Sequence, residues 1–133
     1  MTSERDEKMA EPNPVLVGVE GFVVGEEFQL EHGKSLIIGR SRSCDVSLRH
    51  CSKWLQLDPE ERDLEQDFKT VSRKHMRVTY YNVNSIEIED LSSNGTFVDG
   101  KRIDRILISD IKEKQHEILL GTQERFRLEW KEE

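Results

Sequence analysis

Short apolar runs broken by turn residues fill most of this chain and leave little room for anything but β-strands. In residues 85–89 apolar and polar side chains alternate, with Ile86 and Ile88 on one face, and a period of two is typical of a half-buried strand. The pair Asp99-Gly100 stands between two such runs and predicts a two-residue hairpin turn. About ten to eleven short strands of this kind predict an all-β sandwich.

The length of 133 residues is that of one domain. Residues 1–14 are polar, include Pro12 and Pro14, and show no strand or helix periodicity. We therefore expect a flexible leader at 1–14 and a single domain at 15–130.

Several locations and site types are disfavoured by the sequence. No apolar stretch approaches the roughly 18–20 residues of a membrane span, and the N-terminal residues lack the apolar core of a signal peptide. Cys44 and Cys51 do not form a Cys-x-x-Cys pair, which favours free thiols in a reducing compartment. We expect a cytoplasmic protein without cofactor or metal.

The negative charge is concentrated in one segment. The formal net charge is −7, and residues 58–67 alone hold six acids and one base. The remaining chain shows no basic stripe of the kind that nucleic-acid binding requires. We expect neither nucleic acid nor membrane as a partner.

The same segment is the part of the chain with helical signals. Asp58, Pro59 and Glu61 form the pattern of a helix start, with a capping acid and a proline at the first helical position. Leu64 and Phe68 lie four residues apart, on one side of the predicted helix at about 58–68. Its acidic residues are expected to form a solvated helix face, to screen a neighbouring pocket, or to select basic ligands.

Three polar clusters follow apolar runs, and their order is informative. The clusters are Gly39-Arg40, residues 72–75 (Ser-Arg-Lys-His) and residues 92–96 (Ser-Ser-Asn-Gly-Thr). In this the chain resembles the forkhead-associated (FHA) family, whose signature is Gly-Arg, then Ser-x-x-His, then Asn-Gly, over about residues 15–130. It departs from the usual family pattern in residues 49–69, an acidic insert between the first and second clusters.

The resemblance implies an FHA-like β-sandwich that binds phosphothreonine peptides. A phosphothreonine carries close to two negative charges, and the planar fork of an arginine can grip two of its oxygens. By resemblance, Arg40 and Ser72 contact the phosphate, Asn94 binds the main chain of the peptide, and Arg73 and Ser93 add contacts. Structural support of the site is expected from four residues: Gly39, His75, Gly95 and Thr96.

The expected function is recognition without catalysis. The partner would be a phosphothreonine-containing protein, such as a Ser/Thr kinase or its substrate. The alternative is a phosphate-independent assembly module that uses another surface of the same sandwich. A hydrolase built on Ser72, His75 and Asp90 is disfavoured because the chain has no Gly-x-Ser-x-Gly motif.

Overall fold

The computed structural model describes residues 13–131 and consists of two β-sheets that face each other. Within this range there are eleven strands, which confirms the predicted all-β sandwich. The strands are β1 (Asn13–Glu20), β2 (Glu27–Gln29), β3 (Ser35–Gly39), β4 (Val46–Ser47), β5 (Met76–Asn82), β6 (Ser85–Asp90), β7 (Thr96–Val98), β8 (Lys101–Ile103), β9 (Arg105–Ile108), β10 (His116–Leu120) and β11 (Glu124–Lys131). The predicted leader lies outside the described residues except for 13 and 14, which already belong to β1.

The strands divide into a six-stranded and a five-stranded sheet. The first has the order β2-β1-β11-β10-β7-β8 and the second the order β4-β3-β5-β6-β9. All pairs are antiparallel except β3 with β4. Alternation along the strands directs one face of each sheet inward, so that Ile86 and Ile88 of β6 and Phe126 and Leu128 of β11 are fully buried.

The β7–β8 hairpin turns at the predicted residues. Val98 pairs with Lys101, and both Asp99 and Gly100 have positive φ, at 52° and 86°. These dihedral angles suit a two-residue turn whose twist matches the flanking strands. No helix within residues 13–131 is long and apolar enough to cross a membrane.

The helical segment of the insert is shorter and more divided than predicted. Helix α1 spans Ser52–Leu55, helix α2 spans Pro59–Asp63, and a 3-10 turn spans Asp67–Thr70. The predicted start is confirmed: Asp58 and Glu61 form a reciprocal capping box, with Pro59 at the beginning of the helix. The predicted pairing of Leu64 with Phe68 is wrong, because the helix ends at Asp63 and the capping residue Leu64 is 76% exposed while Phe68 is buried.

An aromatic cluster attaches the insert to the sandwich. The rings of Trp54 and Phe68 stack with centroids 3.6 Å apart. Phe22, from the 3-10 turn Gly21–Val23 after β1, meets both rings edge-on, at 5.2 and 5.8 Å. All three side chains are buried, and such ring pairs stabilise a fold beyond their buried area. The insert is therefore packed against the domain.

Candidate functional site

Strand register brings the three polar clusters to one end of the five-stranded sheet. Ile38 of β3 lies opposite Met76 of β5, and Met76 in turn lies opposite Asp90 of β6. The first cluster follows β3, the second precedes β5 and the third follows β6. Since these strands are neighbours, the ends from which the clusters emerge are adjacent.

The first and second clusters are joined through their backbones. The N–H of Arg40 donates to the carbonyl of Ser72 at 3.0 Å, and the N–H of Ser41 donates to the carbonyl of Arg73 at 3.1 Å. A Cβ at Gly39 would lie 2.2 Å from the carbonyl oxygen of Arg73, closer than non-bonded atoms can approach. Glycine is required there because the two backbone segments are in contact.

The side chain of Arg40 is partly exposed and held at one point. Its Nε donates to the carbonyl of Val71, the residue before the second cluster. Arg40 lines two adjoining hollows, of about 250 and 490 Å³. Arg73 lines the larger hollow with it, whereas Ser72, Ser93 and Asn94 line neither.

The second and third clusters are joined through side chains. The hydroxyl oxygen of Ser72 accepts a hydrogen bond from the N–H of Ser93 at 3.1 Å. The amide of Asn94 donates to the carbonyl of Thr70 at 2.8 Å. Residues 70–73 thus form a central strip, with Arg40 on one side and the 93–94 loop on the other.

His75 lies beneath this strip and is fully buried. Its Nδ1 accepts a hydrogen bond from the N–H of Ser72 at 3.0 Å, so the proton is on Nε2, which donates to the carbonyl of Gly95 at 2.8 Å. Burial lowers the pKa of His75. The neutral ring therefore ties the second cluster to the third.

Asp90 shapes the loop that carries Asn94. One of its carboxylate oxygens accepts hydrogen bonds from the N–H and hydroxyl of Ser92 and from the hydroxyl of Thr96. Burial opposes the charge of Asp90, but these hydrogen bonds outweigh it and lower its pKa. Gly95 closes the loop at a φ of +103°, a conformation that glycine adopts without strain.

The arrangement is not that of a Ser-His-Asp hydrolase. The ring nitrogens of His75 bond backbone groups, and the Asp90 carboxylate bonds Ser92 and Thr96. A catalytic triad instead needs the ring between the hydroxyl and the carboxylate. Among the described residues there is also no group of three His, Cys, Asp or Glu side chains arranged to hold a metal ion.

Apart from Arg73, sequence reasoning missed the cations around Arg40. The smaller hollow is lined by Arg40, Arg49, Trp54, Pro59, Arg62, Asp63, Phe68 and Lys69, and the larger by Arg40, Ser41, Arg42, Arg49 and Arg73. Together, counting residues 13–131, they present six cations and one carboxylate. Their spacing along the chain is irregular, so no sequence signal predicts that they meet.

The insert therefore adds more positive than negative charge to the two hollows, whereas its acidic sequence predicts negative charge. Asp63 is the insert carboxylate that lines a hollow, whereas Arg49, Arg62 and Lys69 supply three of the cations. The capping box occupies two of the other acids, and a third, Asp67, accepts a hydrogen bond from the Thr122 hydroxyl at 2.8 Å. An acidic screen over the pocket does not fit this arrangement.

Comparisons of sequence and of structure both find FHA domains similar to this chain. A sequence profile of the FHA domain matches residues 36–121. The crystal structure of the FHA domain of the CT664 protein from Chlamydia trachomatis is 28% identical with a TM-score of 0.64, over 88% of this chain and 96% of that one. A comparison with curated protein sequences gave no significant match.

Two further structures are similar in fold. One, from a structural and functional study of phosphothreonine-dependent FHA domain interactions, is 24% identical with a TM-score of 0.58, over 86% of this chain and 94% of that one. The other is EmbR from Mycobacterium tuberculosis in complex with a low-affinity phosphopeptide. It is 22% identical with a TM-score of 0.58, over 88% of this chain and 24% of that one.

Proposed function

The chain belongs to the forkhead-associated family, a family of non-catalytic phosphothreonine-binding modules, and on that premise we propose that it binds phosphothreonine-containing segments of other proteins. The observation that carries the proposal is that Arg40 and the 93–94 loop both bond to the strip 70–73, which carries Ser72. Two structures of similar fold come from work on phosphothreonine-dependent interactions and on a phosphopeptide complex.

Arg40 and Ser72 are proposed to contact the phosphate. Within residues 13–131 Arg40 is bonded through its Nε, and its two terminal nitrogens remain to grip phosphate oxygens. The Ser72 oxygen accepts from Ser93, which leaves the hydroxyl hydrogen to donate to the ligand. Arg73 lines the larger hollow beside Arg40 and adds a further positive charge.

Asn94 is proposed to hold the main chain of the peptide. In the free protein one of its amide hydrogens is directed to Thr70, so that the carboxamide has a defined position before the ligand arrives. Its oxygen and second hydrogen can accept from and donate to an extended backbone. Ser93, exposed in the same loop, would add a hydroxyl, while Gly39, His75, Gly95 and Thr96 hold the loops in place.

The proposed partner is the target of a Ser/Thr kinase, or the kinase itself, in the cytoplasm. The free thiols of Cys44 and Cys51 fit a reducing compartment. A few charge-assisted hydrogen bonds, offset by ordering of the peptide, give an expected dissociation constant of about micromolar.

The experiment compares phosphothreonine peptides with their unphosphorylated forms, using a library with randomised flanks. Phosphorylated peptides should bind the unaltered protein, and Arg40→Ala should weaken that binding by about tenfold to a hundredfold, since each charge-assisted hydrogen bond contributes roughly 1.5–3 kcal/mol. Arg105→Ala is the matched control, because Arg105 lies in edge strand β9 and pairs with Glu87. No phosphate dependence for any sequence would refute the proposal. A partner whose binding survives Arg40→Ala would indicate the phosphate-independent assembly module instead.

A further inference from the structure

The insert contributes a rigid cationic wall next to Arg40. The guanidinium carbon of Arg49 lies 5.4 Å from the centre of the Phe68 ring and 5.9 Å from that of Trp54, and that of Arg62 lies 5.4 Å from Trp54. Cation–π contact of this kind fixes the position of a guanidinium and leaves its N–H edges free. The stacked rings are buried, so the platform under the two arginines does not shift.

Arg62 is held in addition by hydrogen bonds. Its Nε donates to the carbonyl of Trp54 at 3.3 Å, and one terminal nitrogen donates to the carbonyl of Leu55 at 3.4 Å. Both carbonyls belong to the end of α1, and that of Trp54 also accepts the N–H of Leu57 at 3.1 Å. The cation is therefore anchored at the edge of the smaller hollow, with donors remaining for a ligand.

These cations lack the carboxylate partners that other arginines of the domain have. Among the described residues, no carboxylate lies within 4.0 Å of Arg40, Arg49 or Arg62. Elsewhere in the same part of the chain four arginines do form ion pairs: Arg77, Arg105, Arg125 and Arg127. Burial, followed by the charges of Arg42, Arg40 and Arg62, lowers the pKa of Arg49. Gathering these charges is unfavourable in the free protein, and an anion bound there would relieve it.

The charge is also greater than one phosphothreonine can neutralise. A phosphorylated side chain brings about −1.5 to −2 charges at neutral pH. The described residues give the two hollows six cations and one carboxylate, and the hollows share Arg40 and Arg49 as a common wall. A phosphothreonine bound by Arg40 and Ser72 alone would leave Arg49, Arg62 and Lys69 facing Asp63 as the one carboxylate that the described residues place in the smaller hollow.

We propose that Arg49, Arg62 and Lys69 form a second anion-binding subsite, and that the ligand is a peptide with a second phosphate or carboxylate side chain near its phosphothreonine. This inference rests on the proposed function, because Arg40 at the shared wall is assigned there to the phosphothreonine. The insert then selects among phosphothreonine peptides. It favours acidic or doubly phosphorylated segments, although its own sequence is acidic.

The experiment measures the effect of a second anion on affinity by fluorescence anisotropy. A neutral peptide with one phosphothreonine is compared with peptides in which a phosphoserine is moved one position at a time along both flanks. At the best position phosphoserine should strengthen binding about tenfold or more, as expected for one added charge-assisted contact. Glutamate at that position should give a smaller gain, and the comparison separates the phosphate from the carboxylate source. If no position strengthens binding beyond glutamine, the inference is overturned.

Variants then identify the residues that produce the gain in affinity from the second anion. Arg62→Gln should remove most of it while changing the affinity for the singly phosphorylated peptide less than about threefold, because Arg62 lines only the smaller hollow. Lys69→Gln is the second variant: it breaks a 3.5 Å hydrogen bond to the Asp63 carbonyl, and it tests the subsite even if Arg62→Gln loosens the insert. Lys112→Gln is the matched control, since this cation lies over the Trp130 ring and lines neither hollow.

The outcomes separate this inference from the proposed function. If no phosphothreonine peptide binds, the proposed function fails. If singly phosphorylated peptides bind through Arg40 but the second anion adds nothing, or if Lys112→Gln reduces the gain as much as Lys69→Gln, only the second subsite is refuted. Equal binding of an unphosphorylated acidic peptide or a DNA duplex would show that the cluster acts as a general polyanion surface, which also overturns the inference.

Discussion

Replacing His75 by leucine removes the side chain that ties the second polar cluster to the third, and the cost can be worked out from its bonds. The Ser72 N–H loses its acceptor, and an unpaired, partly buried donor costs about 1–3 kcal/mol. The Gly95 carbonyl loses the His75 donor but keeps the N–H of Gly121 at 3.4 Å, so this side costs only about 1 kcal/mol. The expected loss is about 2–4 kcal/mol, a large part of the 5–15 kcal/mol typical of a domain.

Urea unfolding at neutral pH, followed by tryptophan fluorescence, measures this loss. With a slope of about 2 kcal/mol/M the midpoint should fall by roughly 1–2 M at an unchanged slope. His32→Leu is the matched control, because this histidine is exposed and the same substitution there should change stability by less than about 0.5 kcal/mol. Phosphothreonine affinity should also fall in His75→Leu, since Ser72 and the Asn94 loop lose their common support. A folded His75→Leu protein that loses less than about 1 kcal/mol would refute the bracing role.

Two other perturbations test the packing at each end of the sandwich. Gly39→Ala should destabilise by about 2–4 kcal/mol and weaken phosphopeptide binding, because the new Cβ pushes on the Arg73 carbonyl; urea titration and peptide titration measure the two effects. At the opposite end, burial lowers the pKa of His116, but hydrogen bonds from its two ring nitrogens to Asp99 and Asp110 outweigh burial and raise it. A histidine whose pKa is raised by folding stabilises the protein at pH values below its unfolded pKa of about 6.5, and this stabilisation is lost as the pH rises through the folded pKa. His116→Gln should therefore be destabilised most near pH 6 and progressively less toward pH 9.

Each of these has a control within the same chain. Gly25→Ala strains the backbone, because Gly25 has a φ of +91°, but its Cβ would have no atom within 4 Å, so the folded variant should keep its peptide affinity. Equal weakening by both glycine variants would contradict the contact argument at Gly39. For His116, the unfolding midpoints of the unaltered protein and of His116→Gln are compared at pH 6 and pH 9. A loss of stability in His116→Gln that grows with pH would show that folding does not raise the pKa of His116.

The fold and the order of the clusters could be predicted because their signals are local. Strand alternation in residues 85–89 and the Asp99-Gly100 turn each depend on neighbouring residues, and the structure has both. The helix start at Asp58 is similarly local, since its capping box closes within four residues. The helix end was missed because Phe68 packs on Trp54 and Phe22, and neither contact is visible in a helical period.

The amino-acid sequence by itself determined the sandwich, the three strand-end clusters and the total charge of the insert. Only the tertiary structure decided which charges of the insert face Arg40. Arg62 stands among six acids in residues 58–67, yet it lies on the ring of Trp54 while Asp58 and Glu61 are engaged in the helix cap. The net charge of a segment does not say on which side each charged residue lies. The packing of Trp54 and Phe68 against the domain decides this for the arginines that contact their rings. The insert, although acidic in sequence, therefore adds cations to the basic surface around Arg40, because its two aromatic rings are buried against the domain.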